Sequence, residues 1–306
     1  FDLARAEGGV EMPGVGLARE RADDLAHLLR LDQRGEREVG VDGGVDGAVL
    51  VAPVRRDAQG GRAARLAPQI QTWLKAHVPA VEFAAPPSLQ ESLNLLQQLP
   101  PRTRVVAVGG DGTLNRWLPT LLTHQLELGL VPFGSGNDTA RAIGVHGQDW
   151  RAALLHALTG PCEAMDVGVA LFEQQRVPFL SSFTAGFDSA VGKRALDGPP
   201  WLRGLPRYLW ATLKELAHIQ TWDLTISIQG EVRHAGRSLF ASSLNTPTFG
   251  SGMPAAPDAE ISDGQLAVLH ACEFNAPQAL WMLPRLLTGT HLSHEKISLW
   301  SAPEIL

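Results

Sequence analysis

Two short runs hold residues suited to chemistry: Gly109-Gly110-Asp111-Gly112-Thr113 and Gly134-Ser135-Gly136-Asn137-Asp138. In the first, the apolar stretch Val105-Val106-Ala107-Val108 leads straight into the glycines. Such a run reads as a buried strand opening into a tight turn. Leu114, Trp117, Leu118, Leu121 and Leu122 follow at helical spacing. A strand, glycine loop and helix in that order bring bare backbone N–H groups to a helix N-terminus, where an anion is favoured. Glycine lets a phosphate approach the backbone closely, because no Cβ intervenes. Asp111 would repel a bare phosphate, so the loop reads as nucleotide-binding with a cation or a ribose hydroxyl beside the carboxylate. A ligand-free strand–helix turn uses the same residues, and a short glycine motif alone separates the two readings poorly.

The elements that would position these turns follow from the pattern around them. Ala48 to Pro53 reads as a strand, Arg62 to Lys75 as a helix, and Pro79 to Phe83 as a second strand. Ser88 caps a helix over Leu89 to Leu99. The strand at 104–109 and another at 129–133 each end in one of the glycine turns. A helix starts near Thr139, with Asn137 or Asp138 as its cap, and a further helix covers Trp150 to Leu158. Strands alternating with helices imply a parallel α/β layer. Two turns at the carboxyl ends of parallel strands converge on one crevice, which strengthens the nucleotide reading. After Pro161 the runs become alternating and β-branched, as in Met165 to Phe172, Leu224 to Ile228 and Leu266 to His270, with a helical piece at Pro206 to His218. That predicts an antiparallel, sandwich-like β-rich domain. The expected organisation is an appendage or mobile arm over 1–46, an α/β domain carrying the glycine turns over 47–162, and a β-rich domain over 163–306. Within the arm, Gly16 to Arg34 is partly periodic and is expected to be helical.

Bulk properties narrow the function class. The chain has 306 residues, 44% hydrophobic and 19% charged, enough for two cores. A net charge of −6 argues against a general nucleic-acid binder. No run reaches the length of a transmembrane helix, and the net charge argues against a protein held on anionic membranes by overall charge, although a local patch could still make transient contact with a membrane surface from the cytoplasm. Cys162 and Cys272 have neither metal-ligand nor disulfide-framework spacing and read as reduced thiols. The ten histidines are scattered and read as surface or structural residues.

The sequence resembles the diacylglycerol-kinase catalytic domain of the soluble bacterial lipid kinases, with sphingosine and ceramide kinases as distant relatives. The matching segments are GGDGTLN at 109–115, VPFGSGNDTARAIG at 131–144, MDVG at 165–168, FTAGFDSAV at 183–191 and NTPTFGSGMPAAPDAEISDGQLAV at 245–268. The resemblance implies an ATP- and Mg²⁺-dependent kinase that transfers the γ-phosphoryl group to a lipid hydroxyl, most similar to diacylglycerol. It implies nucleotide contacts at Gly109, Gly110, Asp111, Gly112, Thr113, Asn115, Ser135 and Asn137. It also implies that Asp111, Asp138 and Asp166 organise Mg²⁺ through water, with Glu260, Asp263 and Gln265 at a metal position in the second domain. Mg²⁺ keeps several waters and takes few direct carboxylates. In isolation Asp138 also reads as an N-cap, and Asp166 and Asp263 as turn carboxylates.

Three departures stand out. Ala52-Pro53 replaces the usual Asn-Pro, Arg116 replaces a Glu, and the Asp-Gly-Glu element that supplies the family's general base is absent. Glu304 lies nearby in an unmatched context, so no catalytic base is assigned; either this copy stops before its base or it never had one. The alternatives are a catalytically impaired nucleotide- or lipid-binding relative and, less favoured, an NAD kinase. The segment Asp197 to Trp210 has Trp201, Leu202, Leu205, Tyr208 and Trp210 beside Lys193, Arg194, Arg203 and Arg207. It reads as a lipid-facing patch or, favoured by helical spacing, as aromatics packed on the β-layer. A homodimer is compatible with all of this.

Overall fold

The computed structural model describes residues 16–20, 30–31, 47–51, 62–172 and 175–306. In chain order the elements are β1 (Gly16–Glu20), β2 (Arg30–Leu31), β3 (Val49–Val51), α1 (Arg62–His77), β4 (Glu82–Ala84), α2 (Leu89–Gln98), β5 (Arg104–Gly109) and α3 (Asp111–Thr123). Then come β6 (Glu127–Pro132), α4 (Asp138–Ala142), α5 (Trp150–Thr159), β7 (Glu163–Ala164), β8 (Val167–Phe172), β9 (Gln175–Phe179), β10 (Ser182–Gly186), α6 (Phe187–Leu196) and α7 (Leu205–Leu216). The chain closes with β11 (Trp222–Ile228), β12 (Glu231–Leu244), β13 (Leu266–Cys272), α8 (Ala276–Leu287), β14 (Ile297–Ala302) and β15 (Glu304–Ile305). They form two compact units, one of residues 21–166 and one of 167–306 joined by Gly16–Glu20.

The first unit is built on a parallel sheet in the order β4-β3-β5-β6. Val105, Val106, Ala107 and Val108 are all fully buried, as strands covered on both faces must be. One core joins Leu50, Ile70, Leu74, Val106, Val108, Val131, Leu154 and Leu158. Each such side chain contributes about 1.5–3 kcal/mol by leaving water. Ser88 caps α2 by accepting from the Glu91 N–H at 3.1 Å. Arg104, at the entry of β5, ties the end of α5 to the sheet: its guanidinium donates to the carbonyls of Leu158 (2.7 Å) and Gly160 (3.0 Å) and to Cys162 Sγ.

The second unit holds an antiparallel sheet in the order β14-β13-β12-β11-β15-β1-β8-β9, with β10 on β12. The expected α/β-plus-antiparallel-β architecture is therefore what the chain adopts. A core cluster of Phe187, Leu239, Phe240, Phe249, Leu269, Phe274 and Met282 joins this sheet to its helices. Gly16–Glu20 departs from the expected helix. It is a strand paired with β8, Leu17 opposite Ala170, and with β15, Leu17 opposite Ile305. Those partners lie far along the chain, so tertiary pairing overrides a weak helical periodicity. Arg30–Leu31, also within the expected helix, is a strand paired with β7, Arg30 opposite Ala164; the rest of the expected arm beyond these two strands, and Ala52-Pro53, lie outside the described residues.

Candidate active site

The two glycine turns meet at the carboxyl ends of neighbouring strands. β5 and β6 pair in parallel, with Gly109 opposite Pro132. A Cβ on Gly110 would fall 2.4 Å from the Cα of Gly134, and one on Gly134 would fall 2.6 Å from the Cα of Gly110. Real Cβ atoms do not approach backbone so closely, so these two glycines are required by contact of one turn with the other. Gly112 is different: it is exposed, and a Cβ there would meet nothing within 4 Å. Only at Gly112 does the missing side chain leave open space over the helix start.

Asp111 joins the turns. Its Oδ2 accepts from the Asp138 N–H at 2.9 Å and its Oδ1 from the Thr139 N–H at 3.0 Å. The carboxylate thus caps α4 from a different loop. Asn137 stands at the expected cap position, but it is left-handed (φ 57°) and makes no side-chain cap bond; its Nδ2 donates to the Gly134 carbonyl at 2.7 Å. Asp138 is the first residue of α4 rather than its cap. The sequence leaves an anion-repelling Asp111 in an anion loop. In the structure that charge is spent on two buried N–H groups and on the positive end of a helix.

α3 starts at Asp111, three residues before the apolar periodicity begins, because the Gly110 carbonyl accepts from both Thr113 N–H (2.8 Å) and Leu114 N–H (3.1 Å). Asp111 and Gly112 therefore open the helix, where N–H groups have no intrahelical acceptor. Thr113 and Asn115 are partly buried on its first turns, and Ser135 is exposed on the second glycine turn. Arg116 is exposed on α3.

The fit of these residues to Mg²⁺ rests on their oxygens. Asp138 and Asp166 are buried carboxylates, and Asn137 Oδ1 is buried with no hydrogen-bond partner between the turns. Asp111 keeps lone pairs beyond its two bonds. An all-oxygen donor set is what Mg²⁺ takes. The donor types suit Mg²⁺, while among the described residues Asp111, Asp138 and Asp166 do not come together as a group of direct ligands. In the second unit Glu260, Asp263 and Gln265 are exposed on the loop before β13, and Asp263 Oδ1 accepts from the Gln265 N–H at 2.9 Å, a turn bond. Glu304 is exposed in β15.

Three features escaped the sequence pattern, and a fourth, foreseen in two ways, is resolved. His146 lies within electrostatic reach of Arg141, Asp138 and Asp111; the imidazole is lowered below its ordinary value by burial and by Arg141, against the pull of the two carboxylates. The second unit has a half-open cavity of about 220 Å³ walled by Phe187, Phe240, Phe249, Met253 and Met282, with Asp188 among them. Burial pushes the Asp188 carboxyl up to about 7. His234, His270 and Cys272 form the one group of three metal-type side chains within reach of each other among the described residues. There Ser238 Oγ lies 2.9 Å from each Nε2, and burial, then His234, lowers His270 to about 4. Finally, the Asp197–Trp210 segment divides. Leu205, Tyr208 and Trp210 pack on the core as helical spacing suggests, while Trp201 is 76% exposed. Arg207 donates to the carbonyls of Leu202 and Pro199 and Arg194 pairs with Glu215, so neither is a free headgroup cation.

Residues 53–170 match the family described as the diacylglycerol kinase catalytic domain. The model of that catalytic domain thus covers most of the first unit. Residues 181–306 match the YegS C-terminal NAD kinase beta sandwich-like domain, so the two matches together run across both units. A diacylglycerol kinase of Mycobacterium tuberculosis is 29% identical over 195 residues, 63% of this chain and 63% of its own length. A protein of Pseudomonas putida named probable lipid kinase YegS-like is 31% identical over 170 residues, 54% of this chain and 55% of its own. The crystal structure of a diacylglycerol kinase from Bacillus anthracis superposes with a TM-score of 0.59 at 18% identity, over 84% of each chain, which establishes the shared fold. No helix among the described residues is long and apolar enough to cross a membrane.

Proposed function

We propose that this chain transfers the γ-phosphoryl group of Mg-ATP to the hydroxyl of a diacylglycerol-like lipid. The observation that carries this reading is the joined pair of glycine turns, locked by Asp111 and left open at Gly112. The N–H groups of Asp111 and Gly112 at the start of α3 face the phosphates, and the helix dipole favours their charge. Thr113, Asn115, Ser135 and Asn137 complete the nucleotide contacts. Asp111, Asp138 and Asp166 hold Mg²⁺ through water, and the loop of Glu260, Asp263 and Gln265 supplies a second metal position. The ion, when bound, neutralises charge on the transferring group, which is the main need of phosphoryl transfer. The apolar cavity of the second unit receives an acyl chain and keeps it from water.

Such a protein works at a lipid surface. Leu196, Trp201, Leu213, Leu280 and Trp281 are 80%, 76%, 54%, 48% and 60% exposed on α6, α7, α8 and the α6–α7 loop, the elements around the cavity. Large apolar residues left in water on one set of helices suit an interface. We assign them to peripheral membrane contact from the cytoplasmic side. Trp201 and Trp281 emission should blue-shift on anionic vesicles, and an unchanged spectrum would remove this assignment.

The kinase reading is tested by transfer of labelled γ-phosphate to diacylglycerol in mixed micelles. Sphingosine, phosphatidylglycerol and NAD are run in parallel, with and without Mg²⁺, on this chain, its Gly112→Val variant and the product of the complete gene. Lipid labelling lost in the variant supports it and names the acceptor class. Labelling of NAD alone, or of nothing while ATP still binds, refutes it.

A further inference from the structure

The cavity of the second unit is apolar along most of its wall, and one carboxyl interrupts it. Asp188 lies on the first turn of α6, among Phe187, Leu239, Phe240, Phe249 and Met282. Its Oδ2 accepts from Ser242 Oγ on β12 at 2.7 Å. Burial raises the carboxyl to about 7 although the Ser242 bond opposes the rise. An ionised carboxylate without a cation is costly in such a place, so the neutral acid persists to near-neutral pH.

Among the described residues no cation shifts Asp188: burial and the Ser242 bond are the causes that act on it. On the elements packed against α6, Arg194 pairs with Glu215, Arg207 donates to loop carbonyls, and Arg237 is directed to Thr221 and Glu273. Lys193 and Lys214 are exposed. The other titratable groups on the cavity wall are Tyr208 and His291. His291 is 2% exposed, its Nε2 bonds the Ala255 carbonyl at 3.0 Å, and its Nδ1 has no partner. Burial lowers His291, so it stays neutral where Asp188 titrates. His291 is thus a neutral member of the cavity wall, which Ser182, Thr184 and Thr212 also line with hydroxyls. The cavity is larger than the roughly 150 Å³ dry cavity that accepts a benzene ring.

A protonated carboxyl has a single O–H to give. Ser242 donates to Oδ2, which leaves Oδ1 to bear the proton. The strong acceptor that an acyl lipid brings into an apolar cavity is its ester carbonyl, which has no proton to offer a carboxylate. We propose that Asp188 is a neutral hydrogen-bond donor inside the cavity and selects chains joined through an ester carbonyl over ether-linked chains. This rests on the lipid-kinase reading for the class of ligand, and not on catalysis. A site built to bond a polar group discriminates against the analogue that lacks it, because the wall group is then left unpaired.

The test is binding without nucleotide. Dioctanoylglycerol and its dioctyl ether analogue are titrated into the full chain at pH 6.5 and 8.5, followed by tryptophan fluorescence, with wild type and Asp188→Asn compared. The ester should bind more tightly than the ether at pH 6.5. Its affinity should fall by up to roughly 25-fold at pH 8.5, the linkage limit for one proton on a group titrating near 7. Ether binding should change little with pH. Asp188→Asn keeps a neutral donor and should hold the ester equally at both pH values. Equal affinity for ester and ether, or an Asn variant with the wild-type pH dependence, overturns the proposal. Ester-selective binding without phosphorylation overturns the kinase reading and leaves this one standing, phosphorylation without ester selectivity does the reverse, and failure of both lipids to bind overturns both.

Discussion

Replacing Asp111 by Ala tests how far the site is a structural joint. The side chain accepts from two backbone N–H groups at 2.9 and 3.0 Å, and their residues, Asp138 and Thr139, are 6% and 1% exposed. Each hydrogen bond to a charged acceptor contributes about 1.5–3 kcal/mol, and a buried donor left without a partner costs a similar amount. The two bonds share one side chain, so their loss is less than additive. Asp111→Ala should therefore lower the stability of the first unit by about 3–5 kcal/mol, and Asp111→Asn, which keeps one acceptor, by about half that. Urea unfolding gives the total, and amide exchange at Asp138 and Thr139 gives the local opening. Both amides should lose protection in the Ala variant while those of β3 keep theirs relative to global unfolding. A stability change under about 0.5 kcal/mol would refute the argument, since surface substitutions are typically confined to that range. The consequence for enzymology is direct. Activity lost in Asp111→Ala reports a released α4 as well as any lost role beside Mg²⁺, so Gly112 variants are the cleaner probe.

The two kinds of glycine should separate in one experiment. Gly112→Ala should raise thermal stability slightly, by about 0.5–1 kcal/mol as for Gly in a helix, yet weaken ATP binding measured by calorimetry, whereas Gly110→Ala should destabilise because its Cβ meets the Gly134 backbone. A raised carboxyl is protonated in the folded state and ionised in the unfolded state between about 4 and 7, so Asp188 should make stability fall across that window and stay flat above it. Asp188→Asn should remove that slope in urea midpoints at pH 5 and 8, and an unaltered slope would contradict the burial of the charge. Cys162 is pushed up to about 11 by burial and the Glu127 bond, so in a Cys272→Ser background it should react with iodoacetamide about a hundredfold slower than a free thiol until the chain unfolds.

Local sequence determined the elements of the first unit and the chemistry of its turns. Val105 to Val108 is apolar on both faces and had to be an interior parallel strand. Glycine, aspartate and asparagine at 109–112 and 134–138 announce tight turns that place N–H groups at helix starts. The order of those motifs was sufficient to identify the catalytic domain, because each is short-range and readable residue by residue. Tertiary structure alone decided what the same residues do for one another. Gly110 and Gly134 are glycines because two turns 24 residues apart touch, and Asp111 caps a helix 27 residues away. Neither fact has a local signature, since each partner is a plausible turn residue by itself. Gly16–Glu20 carries too little pattern to declare a strand until β8 and β15 flank it. Asp188 looks like an ordinary helix-start carboxylate beside Phe187. It becomes a neutral acid only when α6 and β12 close an apolar cavity around it, because the cost of its charge is set by surroundings that the chain assembles from distant segments.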